Sequence, residues 1–304
     1  MKNDKKKKAR QYLIDLQRWR SAVALIACSA TFLFSVVAIT ASLIRYIRMG
    51  WSITDYFRYF TTISNILTAL VAAFIIPFAV NGLRRKRFVY PKWLFLLHYT
   101  GVICTTMTFV FAMVFILPWD PVLAVGNGNL YLHIICPIAI LIAFELVESG
   151  YRLTKRDSLF CLIPFFSYSL IYCVMVVVLG QDKGGWDDLY MLNTYVPFYV
   201  SLPAVYLLAF GIATAIRIVS NRLGQRRLDR MLALWSEDLD PIEVNIEVFG
   251  LGRYNGLHDE KSELSIPYDI LEALAERYAM TPDALLKVYA KGLLDAAAEK
   301  SVNS

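Results

Sequence analysis

Six separate apolar runs of about 20 residues, near 21–46, 59–83, 93–117, 130–148, 158–180 and 195–219, leave this chain few ways to fold. A hydrocarbon core about 30 Å thick takes roughly 20 apolar residues in a helix to cross. Within lipid each backbone polar group must find its partner inside the protein. The pattern predicts an all-α fold: a polytopic six-helix transmembrane bundle over residues 21–221. A basic N-terminus (1–20) precedes it, and a small, mostly helical C-terminal module (222–304) follows.

Charge sets the expected orientation. Lys2, Lys5, Lys6, Lys7, Lys8, Arg10, Arg18 and Arg20 precede the first run. Arg84, Arg85, Lys86, Arg87 and Lys92 follow the second, and Arg152, Lys155 and Arg156 follow the fourth. Arg217, Arg222, Arg226, Arg227 and Arg230 close the sixth. The other three loops carry few such charges. The positive-inside rule then puts both termini in the cytoplasm of a multi-pass cell-membrane protein. The net charge of +6 is uneven: residues 222–304 hold 10 basic and 15 acidic residues, so the excess belongs to the membrane part. That excess reads as a topology signal that also attracts anionic lipid, and no nucleic-acid partner is expected. The first apolar run is too long for a cleavable signal peptide. The five cysteines all lie in apolar runs and read as small packing residues. No cofactor is called for. One outer-side histidine with no carboxylate at ligand spacing argues against a metal site.

In lipid, polar side chains are the informative ones. Arg58, Thr61, Ser64, Asn65 and Thr68 fall on one face if the second helix runs through them, with Thr62 about 100° away. His133 lies near the start of the fourth helix, which the predicted topology places at the depth of Thr61 and Asn65. His98 falls roughly a helix-length away. The bland alternative is interhelical hydrogen bonding. Most of the Trp and Tyr residues read as interfacial belts, among them the pairs Tyr168/Tyr172 and Tyr195/Tyr199.

These residues carry a resemblance. Tyr59-Phe60-Thr61 leading to Ser64-Asn65, then Leu132-His133-Ile134-Ile135-Cys136-Pro137, then Gly180, Trp186 and Tyr195-Val196-Pro197-Phe198 resemble, in order, motifs of the androgen-induced, FAR-17-type membrane proteins and their bacterial six-helix relatives. The resemblance spans roughly residues 20–220. It implies a threonine hydrolase of fatty-acid esters, with Thr61 as nucleophile and His133 as base. Residues 187–194 interrupt the last motif, and the tail has no counterpart in the animal proteins.

The chemistry is coherent. A threonine hydroxyl attacks once a base takes its proton, and neutral His133 could also protonate the leaving alkoxide. Asn65 or Ser64 could supply the oxyanion donor. Arg58 could hold a carboxylate at the lipid–water boundary. Asp120, Asp187 or a backbone carbonyl could orient His133. The expected partner is a membrane lipid or fatty-acid ester. The competing class is a non-enzymatic lipid or small-molecule binding or transport protein. The apparent lack of an internal repeat weighs against a secondary transporter.

In the tail, residues 243–249 alternate as a short strand would. Pro267 begins one helix to about Ala279. Thr281-Pro282 begins another to about Lys300, with Leu285, Val288, Tyr289 and Leu293 as its buried stripe. The module is acidic and fits self-association or partner contact better than DNA binding.

Overall fold

The computed structural model describes residues 2–85, 88, 90–147, 153–194, 196–235, 248 and 282–302. The chain divides into two compact units. One comprises Arg18–Glu148 with Leu153–Asn221, the other Met1–Gln17, Ser149–Arg152 and Arg222–Ser304. The elements are α1 (Lys2–Arg48), α2 (Ile53–Tyr56), α3 (Phe60–Arg85), α4 (Lys92–Phe111), α5 (Pro121–Val125), α6 (Cys136–Val147), α7 (Lys155–Cys161), α8 (Ile163–Cys173), α9 (Phe198–Trp235) and α10 (Pro282–Val302). No strand occurs among the described residues.

Five stretches are helical, long and apolar enough to cross a membrane: Arg18–Arg48, Phe60–Arg84, Lys92–Ile116, Lys155–Leu179 and Phe198–Gly224. Tyr131–Val147 is a shorter apolar helix. Their outward faces carry large apolar side chains left bare, such as Ile26 (70 %), Phe160 (65 %) and Leu207 (72 %). A soluble monomer rarely shows contiguous apolar surface of this kind. The protein is an integral, multi-pass membrane protein with an all-α bundle.

Local chemistry sets the helix ends. Thr154 and Asp157 form a reciprocal capping box that starts α7. Asp120 caps α5, and Pro121 stands at its first position, where no amide hydrogen is needed. Three helices loosen into π turns: Ala112–Ile116 after α4, Tyr131–Ile135 before α6 and Val174–Leu179 after α8. In the π segment before α6 the Cys136 amide reaches the Tyr131 carbonyl, five residues back. The same register would pair the Leu132 carbonyl with residue 137, which is proline and has no N–H. The winding therefore leaves Leu132 with an unclaimed acceptor.

The core between α3 and α4 is close-packed. A Cβ on Gly101 would stand 3.0 Å from Thr68 Oγ1, so the two backbones approach through a glycine. Phe144 of α6 stacks between Phe95 and Tyr99 of α4 at 5.5 and 5.6 Å. Tyr99 Oη donates to the Ala213 carbonyl of α9 at 2.5 Å and lies 3.1 Å from Ser158 Oγ.

Two sequence expectations change. The second apolar run does not form one helix through Arg58. The chain makes α2, turns through 57–59 and starts α3 at Phe60, so Arg58 leaves the polar face. Tyr168 and Tyr172, read as part of an interfacial belt, turn inward: Tyr172 is 1 % exposed and both are hydrogen-bonded inside the bundle. In the other unit, the helix expected from Thr281-Pro282 is α10, with Leu285 and Tyr289 buried. The strand expected at 243–249, Val248 apart, and the helix expected from Pro267 lie outside the described residues.

Candidate functional site

The polar face of α3 is an interhelical ladder. Thr68 Oγ1 donates to the Ser64 carbonyl (2.8 Å), and Ser64 Oγ lies 3.0 Å from Thr108 Oγ1 of α4 and 3.1 Å from the Thr61 carbonyl. Asn65, fully buried, donates one amide hydrogen to the Thr61 carbonyl (2.9 Å) and the other to the Leu132 carbonyl (3.1 Å). That second bond meets the acceptor that Pro137 leaves unclaimed. Two carbonyls can only accept, so the amide orientation is fixed. Asn65 Oδ1 has no hydrogen-bond partner among the described residues. With both protons engaged, Asn65 presents an acceptor, the opposite of an oxyanion donor. The Ser64 hydroxyl has one proton, which the Thr61 carbonyl can accept, and in the Ser64–Thr108 contact either hydroxyl can be the donor.

His133 is buried in the π segment, one residue beyond the carbonyl that Asn65 holds. Its Nδ1 lies 2.6 Å from the Ala124 carbonyl. Nδ1 must donate, which puts the lone pair of the neutral ring on Nε2. The group orienting the imidazole is thus a backbone carbonyl. Asp120 acts one step away: its Oδ1 accepts from Leu123 N (2.8 Å), and Asn129 Nδ2 donates to the Leu123 carbonyl (2.7 Å), which holds the turn that carries Ala124. Asp187 is exposed in the loop after α8. His98 is buried in α4, with Nδ1 3.1 Å from Tyr90 Oη and its ring edge-on to Phe144.

Next to this ladder is a cavity with about 580 Å³ of empty space, its open mouth included. Thr61 and Thr108 contribute to its wall, with Tyr168, Ser169 and Tyr172 of α8 and Tyr190 of the following loop. The remaining wall is aromatic and aliphatic, from Phe60, Phe111 and Phe165 to Phe198 and Val205. Among the described residues no charged side chain belongs to it, and neither His133 nor Asn65 does. Thr61 is on the wall, whereas Thr62 is buried (3 %) and is not. Arg58 sits in the turn before α3. Its Nη2 is 2.5 Å from Asp55 Oδ1, and its guanidinium carbon is 5.9 Å from the Trp186 ring centre.

The residues that tie the loop after α8 to the bundle were given no site role from sequence, where Tyr168 and Tyr172 read only as an interfacial belt. Tyr190 Oη accepts the Phe60 amide hydrogen (2.7 Å), so a side chain 130 positions away caps α3. Tyr168 Oη donates to the Arg58 carbonyl (2.6 Å). Asp188 takes four donors: Tyr172 Oη (2.8 Å) and Leu192 N (2.9 Å) on Oδ1, then Asn193 N (2.7 Å) and Thr194 Oγ1 (2.8 Å) on Oδ2. Burial by itself would raise the Asp188 pKa. The Asn193 amide, the two hydroxyls and the Leu192 amide outweigh it and hold the carboxyl below its usual range. Asn193 Oδ1 in turn caps α9 by accepting Phe198 N (3.0 Å). Among the described residues no group of three or more His, Cys, Asp or Glu gathers as a metal site would.

The chain matches no family model, no curated protein and no solved structure.

Proposed function

We propose that the membrane domain binds a neutral, lipid-like amphiphile in this cavity. The observation that carries the reading is the wall: aromatic and aliphatic side chains with six hydroxyl-bearing ones, Thr61, Thr108, Tyr168, Ser169, Tyr172 and Tyr190, and no charge. Pockets for small ligands combine an apolar lining with a few polar groups that fix orientation. A charged headgroup would lose its water and meet no counter-charge, which costs several kcal/mol or more. Arg58, the cation that the sequence offered to a carboxylate, already pairs with Asp55. A fatty ester, alcohol or similar neutral lipid suits the lining; an ionised fatty acid does not.

Val205→Trp should fill the cavity from α9. Lipid extracted from the purified wild type should contain one neutral species in near-stoichiometric amount, and the variant should lose it by about tenfold or more. Identical lipid profiles from the two proteins would sink the reading.

A second reading, ester hydrolysis, is favoured by the imidazole: the Ala124 carbonyl leaves Nε2 of His133 with a lone pair, as a general base requires. The resemblance to the androgen-induced family adds to it, with Thr61 on the cavity wall as nucleophile. Attack would join Thr61 Oγ1 to the ester carbonyl carbon, pass the hydroxyl proton to His133 Nε2 and release the alcohol as that proton is returned; water, deprotonated by the same Nε2, would then attack the acyl-Thr61 carbonyl, freeing the acid and restoring the Thr61 hydroxyl. The reading needs an oxyanion donor other than Asn65, whose protons are engaged. Covalent labelling by a serine/threonine-hydrolase probe, lost in both Thr61→Ala and His133→Ala at unchanged protein level, is its expected signature. Labelling that persists in Thr61→Ala rules that nucleophile out.

A further inference from the structure

The loop after α8 is tied down in two different ways. Its first part is fixed by backbone. Gly180 has φ +64° and ψ 175°, and Gly184 has φ +76°, conformations that favour glycine. The chain doubles back on the helix it leaves: Gly185 N donates to the Gly180 carbonyl (2.6 Å) and Trp186 N to the Met175 carbonyl (3.0 Å). A Cβ at Gly185 would stand 2.1 Å from the Met175 carbonyl oxygen, so only glycine permits this return.

The second part, 187–194, is held mainly by polar bonds that converge on one carboxylate. Asp188 gathers the Leu192 and Asn193 amides and the Thr194 hydroxyl from within the segment, and the Tyr172 hydroxyl from α8. Tyr172 Oη also accepts Tyr190 N (3.1 Å), and Tyr190 Oη accepts Phe60 N. Met191 is half exposed and has φ +54°, a left-handed conformation that costs a β-carbon-bearing residue free energy and is relieved if the segment lifts. Tyr190 and Leu192 from this segment form part of the cavity wall. A segment with few apolar anchors opens at a lower free energy than the packed helices around it.

We propose that residues 187–194 are a lid on the cavity, hinged at Gly180–Trp186 and latched by Asp188, and that ligand enters and leaves by its lifting. The proposal rests on the ligand-binding reading of the same cavity. Opening breaks the Tyr172–Asp188, Tyr190–Tyr172, Phe60–Tyr190 and Ser201–Leu192 bonds together, and Tyr190 withdraws from the wall.

The test uses the full chain in lipid nanodiscs with cis-parinaric acid methyl ester, a neutral fluorescent lipid, as probe. Asp188→Asn weakens the latch most. Thr194→Val removes one of the four donors to Asp188, lies off the cavity wall and serves if the first variant does not fold. Arg156→Gln, exposed on α7 and outside both hinge and lid, is the control. In both latch variants the probe's association and dissociation rates should each rise by about tenfold, the scale of one lost charge-assisted hydrogen bond. Its equilibrium affinity should move much less, and amide exchange at Tyr190 and Phe60, whose bonds break on opening, should accelerate. The control should match the wild type. Unchanged probe rates in a variant whose lid amides exchange faster would overturn the lid as the route, and unchanged amide exchange would overturn the latch. If the probe binds the wild type but its rates never shift, only the lid fails. If it does not bind the wild type at all, the ligand-binding reading fails and the lid with it.

Discussion

Pro137 lacks an amide hydrogen, and that absence accounts for the geometry around Asn65. In the π register its missing N–H strands the Leu132 carbonyl, and Asn65 Nδ2 meets it at 3.1 Å from another helix. Asn65→Leu should therefore destabilise the bundle by about 1–3 kcal/mol, the cost of leaving buried acceptors unpaired. Pro137→Ala should make that loss smaller, because the restored amide can serve Leu132. A double-mutant cycle read by reversible unfolding in mixed micelles checks this, and strict additivity would argue against the coupling. At Asp188 the sign of the pH effect is fixed by direction. The folded pKa lies below the ordinary value, so the latch is in full force above that ordinary value and is lost as pH falls through the folded one. Amide protection at Leu192 and Asn193 should stay flat from about pH 8 to 5 and drop only below about 4, and Asp188→Asn should show no such acid step. Asn65, Thr61 and His133 were visible in sequence as polar residues at membrane depth. That Asn65 offers an acceptor was not, because it depends on a π register that periodicity does not reveal. Asp188 was passed over because nothing local separates it from Asp187; its partners come from α8 and from the chain beyond it.

At the level of elements, apolar run length gave the helices, and it missed the break at 57–59. Phe60 carries no capping side chain, and its amide is satisfied by Tyr190, 130 positions on, so no local pattern marks where α3 begins. The three π segments all lie at the end of the bundle that holds the cavity, and two of them, through Ala112 and Ile116 and through His133, shape the site. Such irregularities cluster at functional regions. The α3–α4 contact is where substitution acts on whole helices. Gly101→Leu cannot fit beside Thr68 Oγ1, since even a Cβ there sits at 3.0 Å. It should cost about 1–3 kcal/mol by overpacking and, by moving α4, reduce ligand retention. Gly101→Ala should cost less and be partly restored by Thr68→Ala. Thermal unfolding of the four proteins decides it, and an unperturbed Gly101→Leu would mean that the helices separate freely.

For the whole molecule, the open matter is how many times the chain crosses the membrane. Five stretches qualify by length, and Tyr131–Val147, about 25 Å long at 1.5 Å per residue, is short against a core of about 30 Å. Its ends argue that it crosses nonetheless. Leu132 is hydrogen-bonded to Asn65, near the start of α3, whereas the Val147 carbonyl accepts from Arg20 Nε (2.6 Å), at the first residues of the span that ends at Arg48. Leu153 is bonded through both N–H and C=O to Asn221, far along α9 from its start at Phe198. One end of the segment lies with the cavity loops and the other with the basic stretches. A short hydrophobic helix is accommodated by local thinning, and Arg20, buried (5 %), satisfies the carbonyl at its end. The prediction is six crossings, with the two termini on the same, cytoplasmic, side as the positive-inside rule requires. Single cysteines introduced at positions 3 and 303 of a cysteine-free variant should both resist an impermeant maleimide in intact cells, while one at Lys183 should react. Labelling of one terminus alone would mean an odd number of crossings, and labelling of position 303 alone would turn the acidic C-terminal module to the outside.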